Sequence, residues 1–192
     1  MGESFHENLY SNAKIKTKMF ITKKDCYYMG IAKEVSEESK CLSRKIGAVL
    51  VKHDAIISTG YNGPPRGVEH CQHHEIVDGK LILGTSKNTD TCPRQRSGFI
   101  SGTGMEFCIA GHAEENAIVQ AARIGIATIG STMYCYCGMP CVKCVIKIIN
   151  AGILKVYCLK SKVKIKSGYD NNLSEQLLGK AGVEFHYMEF EQ

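Results

Sequence analysis

Two short runs constrain this chain more than anything else in it: GHAEENAIVQAARIG, from Gly111 to Gly125, and MPCVKC, from Met139 to Cys144. Each reads as the opening of a helix that follows a strand. Cys141 and Cys144 are three residues apart, so on a helix both sulfurs share one face. Pro140 suits a helix start, where its missing N–H costs nothing. Helix N-termini favour negative charge, which lowers thiol pKa and supplies the thiolates that a soft metal needs. Two thiolates make half of a tetrahedral zinc shell, and one further ligand leaves a position open, which is the catalytic rather than the structural pattern. His112 is the expected third ligand. Glu114 is close enough to work on whatever occupies the open position: zinc brings the pKa of a bound water toward ~7, and a neighbouring carboxylate can take the proton and pass it on. Glu115, rotated by roughly 100° along the helix, is read as solvated or structural. A lone CxxC is commonly a redox pair, and a helix-opening glutamate commonly a dipole complement. Their order, each at a strand-to-helix junction, joins them into one site.

The rest of the chain supplies the frame. Tyr28, Ile31, Ala32 and Val35 recur at helical spacing between charged residues, predicting an amphipathic helix over Asp25 to Lys40. Ala48 to Lys52 and Ala55 to Gly60 are β-rich runs joined by the short His53-Asp54 link, which predicts a hairpin. Strands are expected at Ser131–Cys137, Ile153–Leu159 and Val183–Glu189, and helices at His112–Ile124, Cys141–Ala151 and Leu173–Ala181. Gly125, Gly152 and Gly182 stand near the helix ends. The order α-β-β-α-β-α-β-α-β implies a mixed sheet with helices packed on it, an α/β layered domain. Val68 to Ala110 lacks periodicity, and a structureless stretch of that length inside a compact domain needs an explanation.

Composition narrows the class. The 192 residues, 44% hydrophobic, support one sizeable core, so residues 21–192 are read as a single domain after a polar extension over 1–20. A net charge of +5 suits a small anionic ligand at least as well as nucleic acid, which usually demands a much more basic surface. No apolar run approaches the ~20 residues of a membrane span, and the N-terminus lacks a secretory signal. The ten cysteines are therefore read as reduced thiols in a cytoplasm, some of them binding metal. Cys26, Cys135, Cys137 and Cys158 are expected in the core, His186 is read as an ordinary surface or core residue, and His53 belongs to the hairpin turn.

HxE followed by PCxxC is the signature of zinc nucleobase deaminases. SRKIGAVLVK, ISTGYNGPPRG, GHAEENAIVQAA, TMYCYCGMPCVKCVIKIINAGI and AGVEF together resemble the deoxycytidylate (dCMP) deaminases, from about Asp25 to Glu189. The resemblance implies a cytidine-deaminase-like fold of three layers, with a mixed five-stranded sheet flanked by helices. It implies hydrolytic deamination of dCMP to dUMP and ammonia, supplying dUMP for thymidylate synthesis. Zinc-bound hydroxide would attack C4, and Glu114 would protonate N3 and then the leaving group. Asn62 would hold a sugar hydroxyl and the Ala113 backbone would meet the pyrimidine edge. Ser43, Arg44 and Lys45, at the entry to the first strand, are candidates for the phosphate, with Lys143 a weaker one and Arg123 read as solvated. Regulated relatives bind triphosphates (dCTP, dTTP) with Mg²⁺ near the loop represented by Gly60, Tyr61, Gly63, Arg66 and Gly67, and do so as homo-oligomers, usually hexamers. The loop is compatible with such regulation, although turn chemistry alone justifies its glycines.

A Cys/His-rich insertion at about 64–110 resembles that of longer microbial relatives. Cys41, Cys71, Cys92 and Cys108 are candidates for a second, structural zinc, with His70, His73 or His74 able to replace one thiolate; buried free thiols are the other reading. Two further functions compete with dCMP deamination: deamination of another base, as in a tRNA adenosine or a riboflavin precursor, and a zinc-stapled module without chemistry. The lysines of KSKVKIK (160–166) are scattered rather than a basic stripe with exposed aromatics, and are read as a solvated strand exit.

Overall fold

The computed structural model describes residues 21–100, 102–160 and 171–189. The extension over 1–20 and most of the lysine run at 160–166 lie outside them. The expected hairpin is present: β1 (Gly47–Lys52) pairs antiparallel with β2 (Ala55–Tyr61) through a turn in which His53 and Asp54 both take positive φ. Three further strands, β5 (Thr132–Cys135), β6 (Lys155–Leu159) and β7 (Glu184–Met188), complete a sheet of order β2-β1-β5-β6-β7. β1 and β5 are antiparallel, whereas β5, β6 and β7 run parallel. The sheet is mixed because a hairpin leads into crossover connections through helices.

Alternation along the strands divides the core in two. Ala48, Leu50, Met133, Cys135, Val156 and Cys158 point to one face, which is covered by α3 (Ala113–Arg123), α4 (Val142–Asn150) and α5 (Asn171–Lys180). Val49, Val51, Tyr134 and Tyr157 point to the other, against α1 (Lys23–Glu37). The result is the three-layer α/β/α arrangement. Two glycines let helices approach strands closely: a Cβ at Gly47 would lie 2.1 Å from the Ala32 carbonyl oxygen, and one at Gly60 would lie 2.3 Å from the Ala117 nitrogen. The glycine at position 60 is thus required by packing of β2 against α3, independently of any turn.

The stretch without periodicity is not structureless. It contains 3₁₀ turns at Cys71–His73 and Met105–Phe107, a hairpin of β3 (Glu75–Val77) and β4 (Lys80–Ile82), and a short helix, α2 (Pro93–Arg96). Strands of three residues are too short to show a period. Cys26 departs from the core reading: it is exposed, because α1 buries the face carrying Tyr28, Met29 and Ala32.

Asp25 ties α1 to the sheet. Its carboxylate accepts from Thr22 N at 2.8 Å and Oγ1 at 2.6 Å, closing a capping box, and from Tyr134 Oη at 2.7 Å. Burial alone would raise its pKa, but these hydrogen bonds outweigh it and hold the carboxyl below the ordinary 3.8. A depressed folded-state pKa gives stability that is complete above 3.8 and lost as pH falls through the lower folded value. Asp25→Ala is expected to cost about 1–3 kcal/mol at neutral pH. In denaturant titrations its stability should also fall less steeply than wild type below 3.8; parallel acid limbs would contradict this account.

Candidate active site

The loops after β2 and β5 deliver two helix starts to one edge of the sheet. Gly63 and Gly111 exchange backbone hydrogen bonds, N to O at 3.2 and 2.8 Å, and Asn116 Nδ2 donates to the Tyr61 carbonyl at 2.8 Å. The GYNG loop is thereby fastened to the first turn of α3. His112 is the N-cap residue of α3 and Cys141 that of α4, neither using its side chain as a cap, so both are free to face the same space.

His112 Nδ1 lies 3.4 Å from Cys141 Sγ and 3.3 Å from Cys144 Sγ. Nitrogen and sulfur ligands on one tetrahedral zinc ion sit roughly 3.5 Å apart, given its usual bond lengths. These three residues therefore fit such an ion, and all three ligand atoms lie within 4.8 Å of one another. The Cys144 thiol donates to Cys141, which with His112 beside it holds the Cys141 thiol well below the ordinary range. The hydrogen bond to Cys141 in turn raises the His112 pKa.

Glu114, one residue past the start of α3, is only 4% exposed. Burial raises its carboxyl pKa, the shift that suits a group required to take and return a proton near neutrality. Glu115 points elsewhere and pairs with Lys147 of α4, which gives it the structural role its angular offset suggested. A buried proton acceptor beside a three-ligand metal centre can activate water against a bound substrate.

Ala113, between His112 and Glu114 in the chain, is wholly buried. Asn62 is also buried, but its side chain is engaged in shaping the loop: Oδ1 accepts from Ile46 N at 2.8 Å and Nδ2 donates to the Arg44 carbonyl at 2.9 Å. Among Ser43, Arg44 and Lys45, Lys45 is directed away, pairing with Glu37 at 2.6 Å. Arg44 is exposed, and its charge acts on Cys137 at the cluster. Lys143 is exposed and Arg123 lies along α3, its Nε 3.3 Å from Gln120. Arg66 donates to Gln120 Oε1 at 2.9 Å, so the outer part of the glycine-rich loop also touches α3, while Tyr61 is exposed.

Cys137, expected in the core, is only partly buried: it packs against the core cluster, with Sγ 4.0 Å from Glu114 Oε1. The signal that could have placed it is its strand spacing from Cys135 and its position just ahead of MPCVKC.

Residues 22–160 match the family described as the cytidine and deoxycytidylate deaminase zinc-binding region. The chain belongs to that family. It is 37% identical over 169 residues to the deoxycytidylate deaminase of Enterobacteria phage T2, covering 80% of this chain and 86% of the relative. It is 35% identical over 133 residues to the deoxycytidylate deaminase of Schizosaccharomyces pombe, covering 69% of this chain but only 35% of that longer protein. Among solved structures it resembles the dCMP deaminase of cyanophage S-TIM5 in complex with dCMP and dUMP, at 27% identity and a TM-score of 0.58 over 84% of this chain and 94% of that one. No helix among the described residues is long and apolar enough to cross a membrane.

Proposed function

We propose that this protein hydrolyses dCMP to dUMP and ammonia, with zinc held by His112, Cys141 and Cys144 and with Glu114 as the proton carrier. The observation that carries the proposal is the convergence of the three ligand atoms within 4.8 Å, next to a carboxylate that is 4% exposed. The relatives named for this reaction, and the similar phage enzyme solved with its substrate and product, support the choice of base and sugar. Zinc held at this centre would supply acidity to a water molecule, making a nucleophile available at neutral pH. Glu114 takes that proton, delivers it to N3 as C4 is attacked, and then carries a proton to the departing amino group. Its burial keeps bulk water from competing for the transfer.

Arg44 is the cation assigned to the phosphate. Of the three candidates at this corner, Lys45 is paired with Glu37, whereas Arg44 acts on the cluster. Asn62, by bonding the Arg44 carbonyl and Ile46 N, orders the segment that presents it. The same proposal extends to regulation by dCTP or dTTP with Mg²⁺ at the Gly60–Gly67 loop, to hexamer assembly and to a cytoplasmic setting. Support for loop regulation is the Arg66–Gln120 bond, which connects the loop to the helix carrying Glu114.

A second, structural zinc within the insertion is also proposed. Burial, then the nearby Cys41, Cys108 and Cys92 thiols, push the Cys71 thiol up to about 11, so the four cysteines share one neighbourhood. The two groups of ligand atoms found within 4.8 Å of one another among the described residues do not include them, so they are less tightly gathered than the His112 centre. Of the three histidines, His74 is the alternative ligand: it is 1% exposed and its Nε2 has no partner. The His73 ring is engaged with Gln72 and the Lys87 carbonyl.

Ammonia release from dCMP, CMP, deoxycytidine and a tRNA hairpin tests the reaction. dCMP should be strongly preferred over deoxycytidine, because only the nucleotide offers Arg44 a charge-assisted hydrogen bond; Arg44→Gln should shrink that preference. Equal kcat/KM for nucleotide and nucleoside would overturn the assignment. Glu114→Gln should retain zinc while losing ~10²–10⁴-fold in turnover.

Metal analysis tests the second ion. Purified protein should hold about two zinc ions per chain. Cys71→Ser or Cys92→Ser should lose one and leave the insertion sensitive to protease. Cys141→Ser should lose the other together with activity. About one ion in fully active protein would overturn the structural site.

A further inference from the structure

Three potential ligands stand immediately beside the proposed catalytic zinc without forming part of it. The sulfurs of Cys135 and Cys137 and a carboxylate oxygen of Glu114 all lie within 4.8 Å of one another. Cys135 is the last residue of β5, and although the chain bends from Tyr136 onward it stays bonded to the sheet: Tyr136 N donates to the Gly47 carbonyl at 2.8 Å, and the Cys137 carbonyl accepts from Leu159 N at 2.7 Å. With their sulfurs this close to the Glu114 carboxylate, both thiols face the buried start of α3. Cys137 Sγ is 4.0 Å from Glu114 Oε1. Cys135 is wholly buried and Cys137 partly exposed, which gives an approach from one side.

We infer that Cys135, Cys137 and Glu114 form an inhibitory site for a soft divalent ion, such as excess Zn²⁺ or Cd²⁺, distinct from the ion at His112, Cys141 and Cys144. Two thiolates and a carboxylate are a donor set that selects such ions over Mg²⁺ or Ca²⁺. Ligand atoms around one tetrahedral ion stand roughly 3.5–3.8 Å apart, so the observed spread closes with small side-chain rotations. Binding forms two metal–sulfur bonds and one metal–oxygen bond, releasing a proton from each thiol and one more wherever the Glu114 carboxyl is protonated. The three anionic donors outweigh the +2 charge of the ion, and Arg44, whose charge acts on Cys137, offsets the remainder. Inhibition rests on the proposed role of Glu114: a carboxylate oxygen bonded to metal no longer exchanges protons with substrate.

The test is a titration of the purified, active protein, with its resident ions in place, against buffered free Zn²⁺ and in parallel Cd²⁺. Cd²⁺ is followed by thiolate-to-metal absorption, and released protons are counted in weak buffer. One additional ion should bind per chain with release of at least two protons, and activity should fall in step with its occupancy. A mild chelator that leaves the resident ions should restore the rate. In Cys137→Ser the resident ions should remain, the additional ion should be lost, and the zinc concentration for half-inhibition should rise at least about tenfold, a scale typical of altered ligand surroundings. Cys135→Ala should behave alike if it folds; the partly exposed Cys137 position keeps the test decisive if it does not. Absence of an additional ion, or unchanged binding and inhibition in Cys137→Ser, would overturn the site. Binding without loss of activity would overturn its inhibitory role. Failure of the Glu114 reading is seen separately, as activity surviving in Glu114→Gln whatever the ion count.

Discussion

The short backbone pairing of Gly63 with Gly111 is the constraint on which the rest depends. It fixes the start of α3 to the loop leaving β2, while covalent continuity fixes the start of α4 to the end of β5. Because β1 lies between β2 and β5, the two helix starts are held at one sheet edge by neighbouring ladders. Asn116 reinforces the pairing from within the helix, and a Cβ at Gly111 would lie 2.6 Å from its Oδ1. Metal ligands taken from two helix starts can therefore meet without any long loop having to be ordered for the purpose.

That placement also settles the electrostatics. Helix N-termini carry partial positive charge, which favours a thiolate at Cys141 and offsets the burial of a carboxylate one residue along α3. The same burial that would be a liability elsewhere raises the Glu114 pKa into a useful direction. On the opposite face of the sheet a second buried carboxylate, Asp25, has the reverse arrangement: three donated hydrogen bonds keep it charged and inert. Two carboxylates are thus directed to different tasks: at Glu114 burial outweighs the hydrogen bonds it receives, and at Asp25 the hydrogen bonds outweigh burial.

Much of this was legible in the sequence, for identifiable reasons. The β1–β2 hairpin was visible because a two-residue link separates two β-rich runs, and the HAE and PCVKC positions were visible because ligand spacing on a helix is periodic. The insertion was opaque: its strands have three residues each and its helix four, too short for any period to emerge. Cys26 was misjudged because it stands three residues before the buried Met29, a spacing that shares a helix face, yet α1 centres its buried stripe on Asp25, Tyr28, Met29 and Ala32 and leaves Cys26 at the exposed margin. Cys137 does pack against the core, and its approach to Glu114 was hidden because a thiol next to a metal motif looks the same in sequence whether or not it also reaches a carboxylate. The fates of Lys45 and Asn62 depended on partners 8 and 16–18 residues away, Glu37 for the one and Ile46 and Arg44 for the other, which no local pattern announces.

The central claim is that the clustered His112, Cys141, Cys144 and Glu114 direct water, and not an enzyme side chain, at the amino-bearing carbon of the pyrimidine. Single-turnover reaction of excess enzyme with dCMP in ¹⁸O-enriched water measures this directly by the mass of the dUMP released. The account predicts one ¹⁸O atom at C4 from the first turnover onward. Unlabelled dUMP in that first turnover would mean that the oxygen came from the protein, and would contradict it.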